Sequence, residues 1–595
     1  MPDKTRIRSR VCTESTLKYC HRLMSKLDSL FASTILALAL SVGCTTSDPT
    51  FCDENTPCTD PSAPFCDLAG AVGTKNTCTA PLFDAAPTVA TITVELAGQG
   101  IGSVSSSDGS LECLQSPCTF DVEFGTTLRF LAAADEGTSF VTWSGPCEGF
   151  GECEFTADAS QTLVAVLEPE GSLLWTQKPE RSVPVDNQVS RIFPTGIATN
   201  SDNDVVVVGS LVGTPDFGGG PLISGDPTFG SVEVFVAQYD FRGAHQWSNA
   251  YSGLGFSDDF AHAVRVNSRD EIVVSGFFGD ALTFDGPGEA LDGSSTRGFL
   301  ARFNQEGAHL ASSGFVAENV LRSILSLDEN DEILAASAKL LTWFDDMGTQ
   351  LRTVEPSENT SELRSSAVDG FGRAVVTGSL TDNIDFSPGV SGGNLSGGGN
   401  ERSYIVKLNW DGTYHSGRVR NVDRIECVVS DPNGDGSYYI VGSLTETVDL
   451  QGGGGGVITP TGSRNAFVAK YGNGHAHIWS VHLPSTSEST ATACALDPRG
   501  NLLVGGSFDT DVRLKPTGDL HTGPGVFVAK YSTQNGSLQW ETIGKGDATI
   551  PALESDTVGR TNAAVQLNVD ASFTIAGETI PADAAPNLLL MQLAP

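Results

Sequence analysis

A five-residue apolar pattern recurs seven times between residues 235 and 593, and this repeat limits the possible folds more than any other feature. The copies begin at Phe235, Phe299, Leu340, Tyr404, Phe467, Phe527 and Leu589. Successive copies start 41 to 64 residues apart. Units repeated at such periods bury their apolar faces against one another. Length alone would suggest about three or four domains, but the repeat predicts that residues 172–595 form one large domain.

Upstream of each copy, a predicted hairpin has Asp or Asn nine residues before a small residue. These side chains suit turns because they satisfy the local backbone. The pairs are Asn200/Gly209, Asn267/Gly276, Asp328/Ser337, Asp369/Gly378, Asp497/Gly506 and Asn568/Gly577, with two extra residues at Asp431/Gly442.

The number of strands predicts how the repeat closes. A further strand, often with Trp, follows each of the first six copies, but the chain ends at Pro595 before a seventh. The missing strand is found at residues 172–177, which include Trp175. Completing the last sheet with an N-terminal strand leaves no open sheet edge. We therefore predict an all-β fold, a seven-bladed β-propeller closed by residues 172–177.

The motifs resemble the bacterial SBBP β-propeller repeat, with its pattern D-x-x-G-n-v-v-v-t-G-s-f, v-D-F-g-g, F-V-A-K-y and G-x-x-x-W. The resemblance covers essentially all of residues 172–595, although the third copy is short and lacks the Gly-rich insert. It implies the same fold as the strand count.

Residues 88–168 contain four stretches of alternating polar and apolar residues, which predict strands. They also contain the run Phe140-Val-Thr-Trp143-Ser-Gly-Pro-Cys147. This run resembles the divergent internalin B-repeat module of bacterial surface proteins. The resemblance implies a small all-β stalk or adhesion module with Phe140 and Trp143 in its core. Within it, the expected local disulfides are Cys113–Cys118 and Cys147–Cys153.

Residues 1–43 have the composition of a signal peptide. They carry seven Lys or Arg against three Asp or Glu, a net charge of +4, and end in an apolar run from Leu30 to Gly43. That run is too short to span a bilayer. Leu40-Ser-Val-Gly-Cys44 resembles the bacterial lipobox, which implies that Cys44 is diacylated and becomes the new N-terminus. An ordinary secretory signal and a retained anchor are the alternatives. Two starts stay open, Met1 and Met24, and with the second residues 1–23 are not translated.

Residues 44–87 are predicted to be a short Cys-rich tether without a core of its own. Its cysteines after Cys44 are Cys52, Cys58, Cys66 and Cys78. With the four in residues 88–168 they form an even set, which in an exported chain is typical of disulfides. Four cysteines allow three pairings, and the sequence does not choose among them. In the repeat domain, Cys427 and Cys494 are expected to be small buried apolar residues.

The charge of the chain excludes two classes of partner. The formal net charge is −37, so residues 44–595 carry −41. A nucleic-acid binder would need a basic face, and an anionic membrane surface would repel this chain. Membrane contact is therefore expected only through the lipid anchor.

No nucleophile elbow, catalytic triad or pair of metal ligands is found, so no catalytic residue, metal or cofactor is predicted. The run Asp431-Pro-Asn433-Gly-Asp435 begins like a Ca²⁺ loop. Gly442, however, stands where such a loop needs a bidentate Glu. A turn with two inserted residues is the preferred interpretation.

The candidate binding face is the one that carries the long Gly-rich connections between the second and third strands of the blades. Near the starts of the first strands, four consecutive blades carry His262, Arg322, Arg364 and Arg424 at similar repeat positions. Such a cluster would suit a carboxylate or phosphate ligand, for example an acidic glycan. Ordinary ion pairing with neighbouring acids is the competing interpretation.

Together these features predict a monomeric, non-enzymatic lipoprotein of the outer membrane or cell surface. It would act in binding, adhesion or as a scaffold, with a protein or glycan ligand. The alternative is a polysaccharide-active propeller enzyme, either a hydrolase or a lyase. A third interpretation, a quinone-cofactor dehydrogenase, rests only on the Trp-rich outer strands. Fold alone does not choose among these.

Overall fold

A computed structural model describes residues 65–67, 77–79, 89–180, 190–222, 231–253, 258–284, 290–294, 297–317, 323–337, 340–357, 362–387, 392–451, 456–568, 572–581 and 587–595. The regular secondary structure in these ranges consists of 48 β-strands, which confirms the predicted all-β class. The described ranges contain no helix that is long and apolar enough to cross a membrane.

Contacts between residues divide the chain into two compact units. Of the described residues, 65–67, 77–79, 89–92, 119–127 and 156–161 belong to the first unit and the rest to the second. In the first unit, strand β1 (Phe65–Asp67) pairs antiparallel with β2 (Thr77–Thr79), and the backbone of Cys66 lies opposite that of Cys78.

Eight further strands precede the repeat region. They are β3 (Val89–Ala97), β4 (Gly102–Ser106), β5 (Glu112–Cys113), β6 (Cys118–Glu123), β7 (Thr127–Ala134), β8 (Thr138–Ser144), β9 (Cys153–Thr156) and β10 (Gln161–Pro169). Within the second unit, β8 pairs with β10, and β4 pairs with both β5 and β7.

Trp143 on β8 is a core residue, as expected. Its side chain is 1% exposed, and its indole N–H donates to the Gly151 carbonyl at 2.8 Å. The half-buried Phe140 ring lies 5.0 Å from it. Disulfides join Cys113 to Cys118 and Cys147 to Cys153, which are the two expected local pairs.

In the described part of the repeat region, seven antiparallel sheets follow one another along the chain, here called sheets 1 to 7. Sheet 1 consists of β12 (Arg191–Thr199), β13 (Val205–Val212), β14 (Glu233–Tyr239) and β15 (His245–Tyr251). Sheet 2 consists of β16 (Phe260–Val266), β17 (Ile272–Phe277), β20 (Gly298–Phe303) and β21 (His309–Phe315). Sheet 3 consists of β22 (Ser323–Leu327), β23 (Ile333–Ser337), β24 (Leu340–Phe344) and β25 (Gln350–Val354). Sheet 4 consists of β26 (Glu362–Val368), β27 (Ala374–Leu380), β30 (Arg402–Leu408) and β31 (Tyr414–Arg420). Sheet 5 consists of β32 (Arg424–Ser430), β33 (Tyr438–Leu444), β36 (Asn465–Tyr471) and β37 (His477–Leu483).

Sheet 6 consists of β38 (Ser489–Leu496), β39 (Leu502–Phe508), β42 (Gly525–Tyr531), β43 (Leu538–Lys545), β46 (Phe573–Ile575) and β47 (Glu578–Ile580). Sheet 7 consists of β44 (Ala548–Ser555), β45 (Thr561–Leu567), β48 (Leu588–Leu593) and the N-terminal strand β11 (Leu173–Gln177). Two-stranded ribbons lie between the second and third strands of sheets 2, 4, 5 and 6. They are β18 (Ala281–Leu282) with β19 (Leu291–Asp292), β28 (Asn383–Asp385) with β29 (Asn394–Ser396), β34 (Val448–Asp449) with β35 (Val457–Ile458), and β40 (Asp511–Val512) with β41 (His521–Thr522).

The first strand of each sheet contacts the first strand of the next sheet. The series runs from β12 through β16, β22, β26, β32 and β38 to β44, and β44 in turn contacts β12. Buried apolar side chains, such as Val208 and Val264 between sheets 1 and 2, fill the space between neighbouring sheets.

Tryptophans of the fourth strands connect sheets 1, 5 and 7 each to the next sheet. The indole N–H of Trp247 donates to Gln305 in the following sheet at 2.7 Å, and that of Trp479 donates to Thr533 at 3.1 Å. Trp175 on β11 repeats this contact with the Phe241 carbonyl of sheet 1 at 3.1 Å. These three tryptophans therefore have a packing role, which does not require a quinone cofactor.

The predicted turn chemistry is present in six sheets. The side-chain oxygen of the turn residue accepts the backbone N–H four residues later at Asn200, Asn267, Asp328, Asp369, Asp497 and Asp556.

The prediction for the seventh hairpin was wrong, because Asp556, and not Asn568, starts the turn of sheet 7. Residues 573–580 instead form β46 and β47, which extend sheet 6 through pairing with β43. The rule failed because it required a small residue nine positions after the turn, and Val565 stands there. In sheet 7 the bulge takes up two residues of β44, so Val565 has no partner on that strand.

Candidate functional site

The first strands of five sheets carry a β-bulge at one repeat position. The bulged residues are Thr195, His262, Arg364, Glu426 and Thr492. In each case the small residue of the repeat is a Gly opposite the residue before the bulge, and a Cβ there would overlap a carbonyl of the first strand. A bulge redirects a side chain out of the regular alternation of a strand. The repeated Gly therefore marks a row of redirected side chains.

These side chains connect neighbouring first strands. The Thr195 hydroxyl donates to the Ala261 carbonyl of sheet 2 at 2.8 Å, and the Thr492 hydroxyl donates to the Ile550 carbonyl of sheet 7 at 2.6 Å. Their shared role is to bridge two sheets.

Arg364 forms the charged version of the same bridge. Its guanidinium lies 2.6 Å from the Glu362 carboxylate and 3.3 Å from that of Glu426, the bulged residue of sheet 5. The side chains of Arg364 and Glu426 are only 4% and 6% exposed. Arg364 is therefore engaged in the ion pairing that the competing interpretation predicts.

Two of the other three predicted basic residues, Arg424 and His262, are among the described residues, and they stand at different positions relative to the bulge. Arg424 lies two residues before the bulge and is exposed at the start of β32, and the acidic Glu426 holds the equivalent position. His262 is a bulged residue whose ring lies nearly parallel to that of Phe260, with centroids 6.1 Å apart. Arg322 lies outside the described residues. The structure thus brings a cation and two carboxylates together. Aligning the repeats of this chain at the bulge position would have shown that Glu426 is equivalent to Arg364.

A disulfide that the sequence did not predict links Cys427 on β32 to Cys494 on β38, with Cα atoms 5.8 Å apart. The expectation that both act as small buried apolar residues missed this bond. They are 67 residues apart in sequence, which hides their contact until the first strands of sheets 5 and 6 are placed side by side. The spacing of about one repeat was the available signal.

The inserts between second and third strands are partly built into the core. The Tyr239 hydroxyl donates to the Phe217 carbonyl at 2.9 Å, and the Tyr531 hydroxyl donates to the Leu514 carbonyl at 2.7 Å. Both accepting residues have buried side chains. The segments around Phe217 and Leu514 therefore belong to the scaffold.

Glu233 and Asp259 form a buried acidic pair between sheets 1 and 2. They are 5% and 1% exposed. Burial, followed by the negative charge of Asp259, raises the pKa of Glu233 to about 8. Burial also raises the pKa of Asp259 to about 6, although its carboxylate accepts N–H groups from Gly253 and Gly279 at 2.9 and 3.0 Å. Sequence reasoning missed this pair because neither residue belongs to a recognisable motif.

No group of three or more His, Cys, Asp or Glu side chains that could hold a metal lies within the described ranges. In the Ca²⁺-loop-like turn, Asp431 accepts the N–H of Asn433 and Asp435 accepts the N–H of Ser437, both at 2.9 Å. These carboxylates stabilise the turn itself, as the preferred interpretation predicted.

The sheets define an all-β protein of the β-propeller class. Solved structures similar to the chain include a Dos1 propeller, at 9% identity over 70% of this chain and 82% of that one, with a TM-score of 0.38. The WD40 domain of Neurospora crassa Pan2 is similar at 10% identity over 68% and 89%, with a TM-score of 0.37. A protein of unknown function from Bacteroides caccae is similar at 11% identity over 52% and 92%, with a TM-score of 0.25. No protein-family model matches the sequence, and no curated protein matches it.

Proposed function

We propose that residues 172–595 form a closed seven-bladed β-propeller that serves as a non-enzymatic binding or scaffold module of an exported surface lipoprotein. Support for closure comes from two contacts of the first and last sheets. β11 pairs with β48, from Leu173 opposite Leu593 to Gln177 opposite Leu590, and β44 contacts β12.

Export is supported by the disulfides. The Cys427–Cys494 bond lies within the repeat region itself, and two more lie in residues 113–153. Disulfides persist in oxidising compartments and are rare in a reducing cytosol. Lipidation at Cys44 is the matching proposal for the N-terminus. We expect radiolabelled palmitate to enter the wild-type protein but not Cys44→Ser, and labelling of that variant would contradict lipidation at this residue.

The observation that carries the non-enzymatic role is the ion pairing of Arg364 on the first strands of sheets 4 and 5. Where the sequence suggested a free cationic cluster, Arg364 is neutralised by Glu362 and Glu426. The Glu426 carboxylate, held in a buried ion pair, stabilises the scaffold and is not free for acid–base chemistry. Binding is then left to exposed groups at the ends of the strands, of which Arg424 is one.

A glycan array with the leaderless protein tests this role. We expect binding to acidic glycans that falls at least tenfold in Arg424→Glu. Arg499→Glu is the matched control, because Arg499 is equally an exposed Arg but lies in the β38–β39 turn of sheet 6. Equal losses in both variants, or no binding at all, would remove the glycan proposal.

The polysaccharide-active alternative is favoured by one observation, the Glu233–Asp259 pair, since displaced carboxyl pKa values cluster at active sites. Both residues are almost fully buried, so we favour the binding role. Release of new sugar ends from acidic or neutral polysaccharides by the wild type, lost in Glu233→Gln, would reverse this preference.

A further inference from the structure

Sheet 7 is held together differently from the other sheets of the repeat region. In sheets 1 to 6 a tight turn of the chain joins the third strand to the fourth. In sheet 7 the ends of the repeat region replace this turn. Gly171 donates to the Ala594 carbonyl at 3.2 Å, and the Ala594 N–H donates to Ser172 at 2.8 Å. Within sheet 7, β11 is therefore held beside β48 by non-covalent contacts and not by a connecting turn.

A second contact holds β11 against sheet 1. The Trp175 indole donates to the Phe241 carbonyl and lies so close to Gly243 that a Cβ there would overlap the ring. Phe241 and Gly243 belong to the β14–β15 turn. The place where sheets 7 and 1 meet, here called the seam, therefore depends on how firmly this turn is held.

A loop from the N-terminal part of the second unit lies on that turn. The loop is closed by the Cys147–Cys153 disulfide and carries Phe150. The Phe150 ring meets the Phe241 ring edge-on, with centroids 4.9 Å apart. Phe150 thus contacts sheet 1 directly beside the carbonyl that accepts the Trp175 N–H.

The same ring also contacts sheet 7. The guanidinium of Arg560, which precedes β45, lies 4.2 Å from the centroid of Phe150 and 5.4 Å from that of Phe241. Arg560 is 1% exposed and pairs with Asp556 at 2.5 Å. Burial lowers its pKa, and its Nη2 has no hydrogen-bond partner within the described ranges. The electron-rich ring faces offer this desolvated cation a favourable environment.

An ion pair at the surface also joins the loop to the β14–β15 turn. Arg242, also in the β14–β15 turn, pairs with Glu148 of the loop at 2.9 Å and lies over the Phe241 ring at 4.9 Å. Because both side chains are exposed, this pair contributes less than the buried aromatic contact.

We propose that the Cys147–Cys153 loop is a strap that holds the seam between sheets 7 and 1 closed, with Phe150 packed against both Phe241 of one sheet and Arg560 of the other. An N-terminal segment would then stabilise closure of the repeat domain within the same chain. This device concerns the stability of the fold and is independent of which ligand is bound.

Hydrogen exchange of the whole leaderless chain tests the strap. In Phe150→Ala we expect amides of β11 and β48 to exchange at least tenfold faster than in the wild type, while those of sheets 3 to 5 change less than twofold. Phe155→Ala is the matched control. It removes a Phe from β9 that stacks on Phe130, with centroids 6.1 Å apart, and it leaves the seam contacts intact.

Exchange at the seam within twofold of wild type in Phe150→Ala would overturn the proposal. Equal acceleration in all sheets, or the same seam effect in Phe155→Ala, would overturn it as well. Should Phe150→Ala not fold, Phe150→Leu keeps an apolar side chain but loses the aromatic face over Arg560. A seam that exchanges at least threefold faster in Phe150→Leu supports the strap, and an unchanged seam contradicts it.

Discussion

The fourth and fifth residues of the repeated strand have structural roles that explain their recurrence. Lys407 pairs with the turn residue Asp369 at 2.9 Å, and Lys530 pairs with Asp497 at 2.8 Å. All four side chains are almost fully buried. The following Tyr anchors an insert, as Tyr531 does through the Leu514 carbonyl. The Asp of the turn was predicted from its own backbone bonds, but its Lys partner lies over 30 residues away and required the fold to be seen.

Burial of Glu233 makes the protein less stable as pH rises, whereas a carboxylate in an ordinary ion pair makes it more stable. The pKa of the buried Glu233 carboxyl rises from an ordinary value of 4.5 to about 8. Between these pH values the folded protein binds more protons than the unfolded chain, so the free energy of unfolding falls as pH rises. Glu233→Gln removes this dependence, because the amide cannot ionise.

We therefore expect Glu233→Gln to be more stable than wild type at pH 8, by at least about 1 kcal/mol, with the difference shrinking towards pH 5. Urea unfolding at both pH values measures it. The exposed Glu446→Gln should track the wild type throughout. A variant that is less stable than wild type at pH 8 would show that Glu233 makes a favourable charged interaction.

At the scale of elements, the sequence predicted the strands but not the bulges. Alternating apolar residues and the repeat period locate each sheet, and the Gly of the repeat was read only as a small residue. The bulge explains why this residue is Gly, because at Gly378 a Cβ would overlap the Glu362 carbonyl and the Tyr404 hydroxyl. Val565 replaces this Gly where the bulge has a different register. A pattern that requires a small residue at this position therefore misplaces the hairpin of sheet 7.

Gly378→Ala should consequently lower the free energy of unfolding by about 1–3 kcal/mol, the usual cost of forcing extra volume into a packed site. Gly474→Ala is the control, because nothing lies within 4 Å of a Cβ there, and it should change stability by less than about 0.5 kcal/mol. Guanidinium unfolding of both variants gives the comparison. Similar values for the two would mean that β26 moves to make room.

At the scale of the whole molecule, the links between sheets decide how the repeat holds together, and most of them were invisible in the sequence. Bulged side chains, outer-strand tryptophans and one disulfide each join residues about one repeat apart, such as Thr195 to Ala261. The strand count predicted only that the first and last strands meet, which the pairing of β11 with β48 reflects. The partner of Arg364 was hidden for the same reason, because Glu426 comes beside Arg364 only when sheets 4 and 5 pack.

The Cys427–Cys494 disulfide offers the sharpest test of these links. It closes a far longer segment of chain than Cys113–Cys118, with separations of 67 and 5 residues. The longer the closed loop, the more the bond restricts the unfolded chain, and losses of about 2–4 kcal/mol are typical. We expect Cys427→Ser/Cys494→Ser to lower the free energy of unfolding of the repeat domain by that amount. Cys113→Ser/Cys118→Ser should leave the repeat domain's transition, followed by tryptophan fluorescence, within about 0.5 kcal/mol of wild type. If neither double variant shifts that transition, sheets 5 and 6 are held by their packing alone and the bond adds nothing to them. If both shift it equally, the loss does not come from a link specific to sheets 5 and 6.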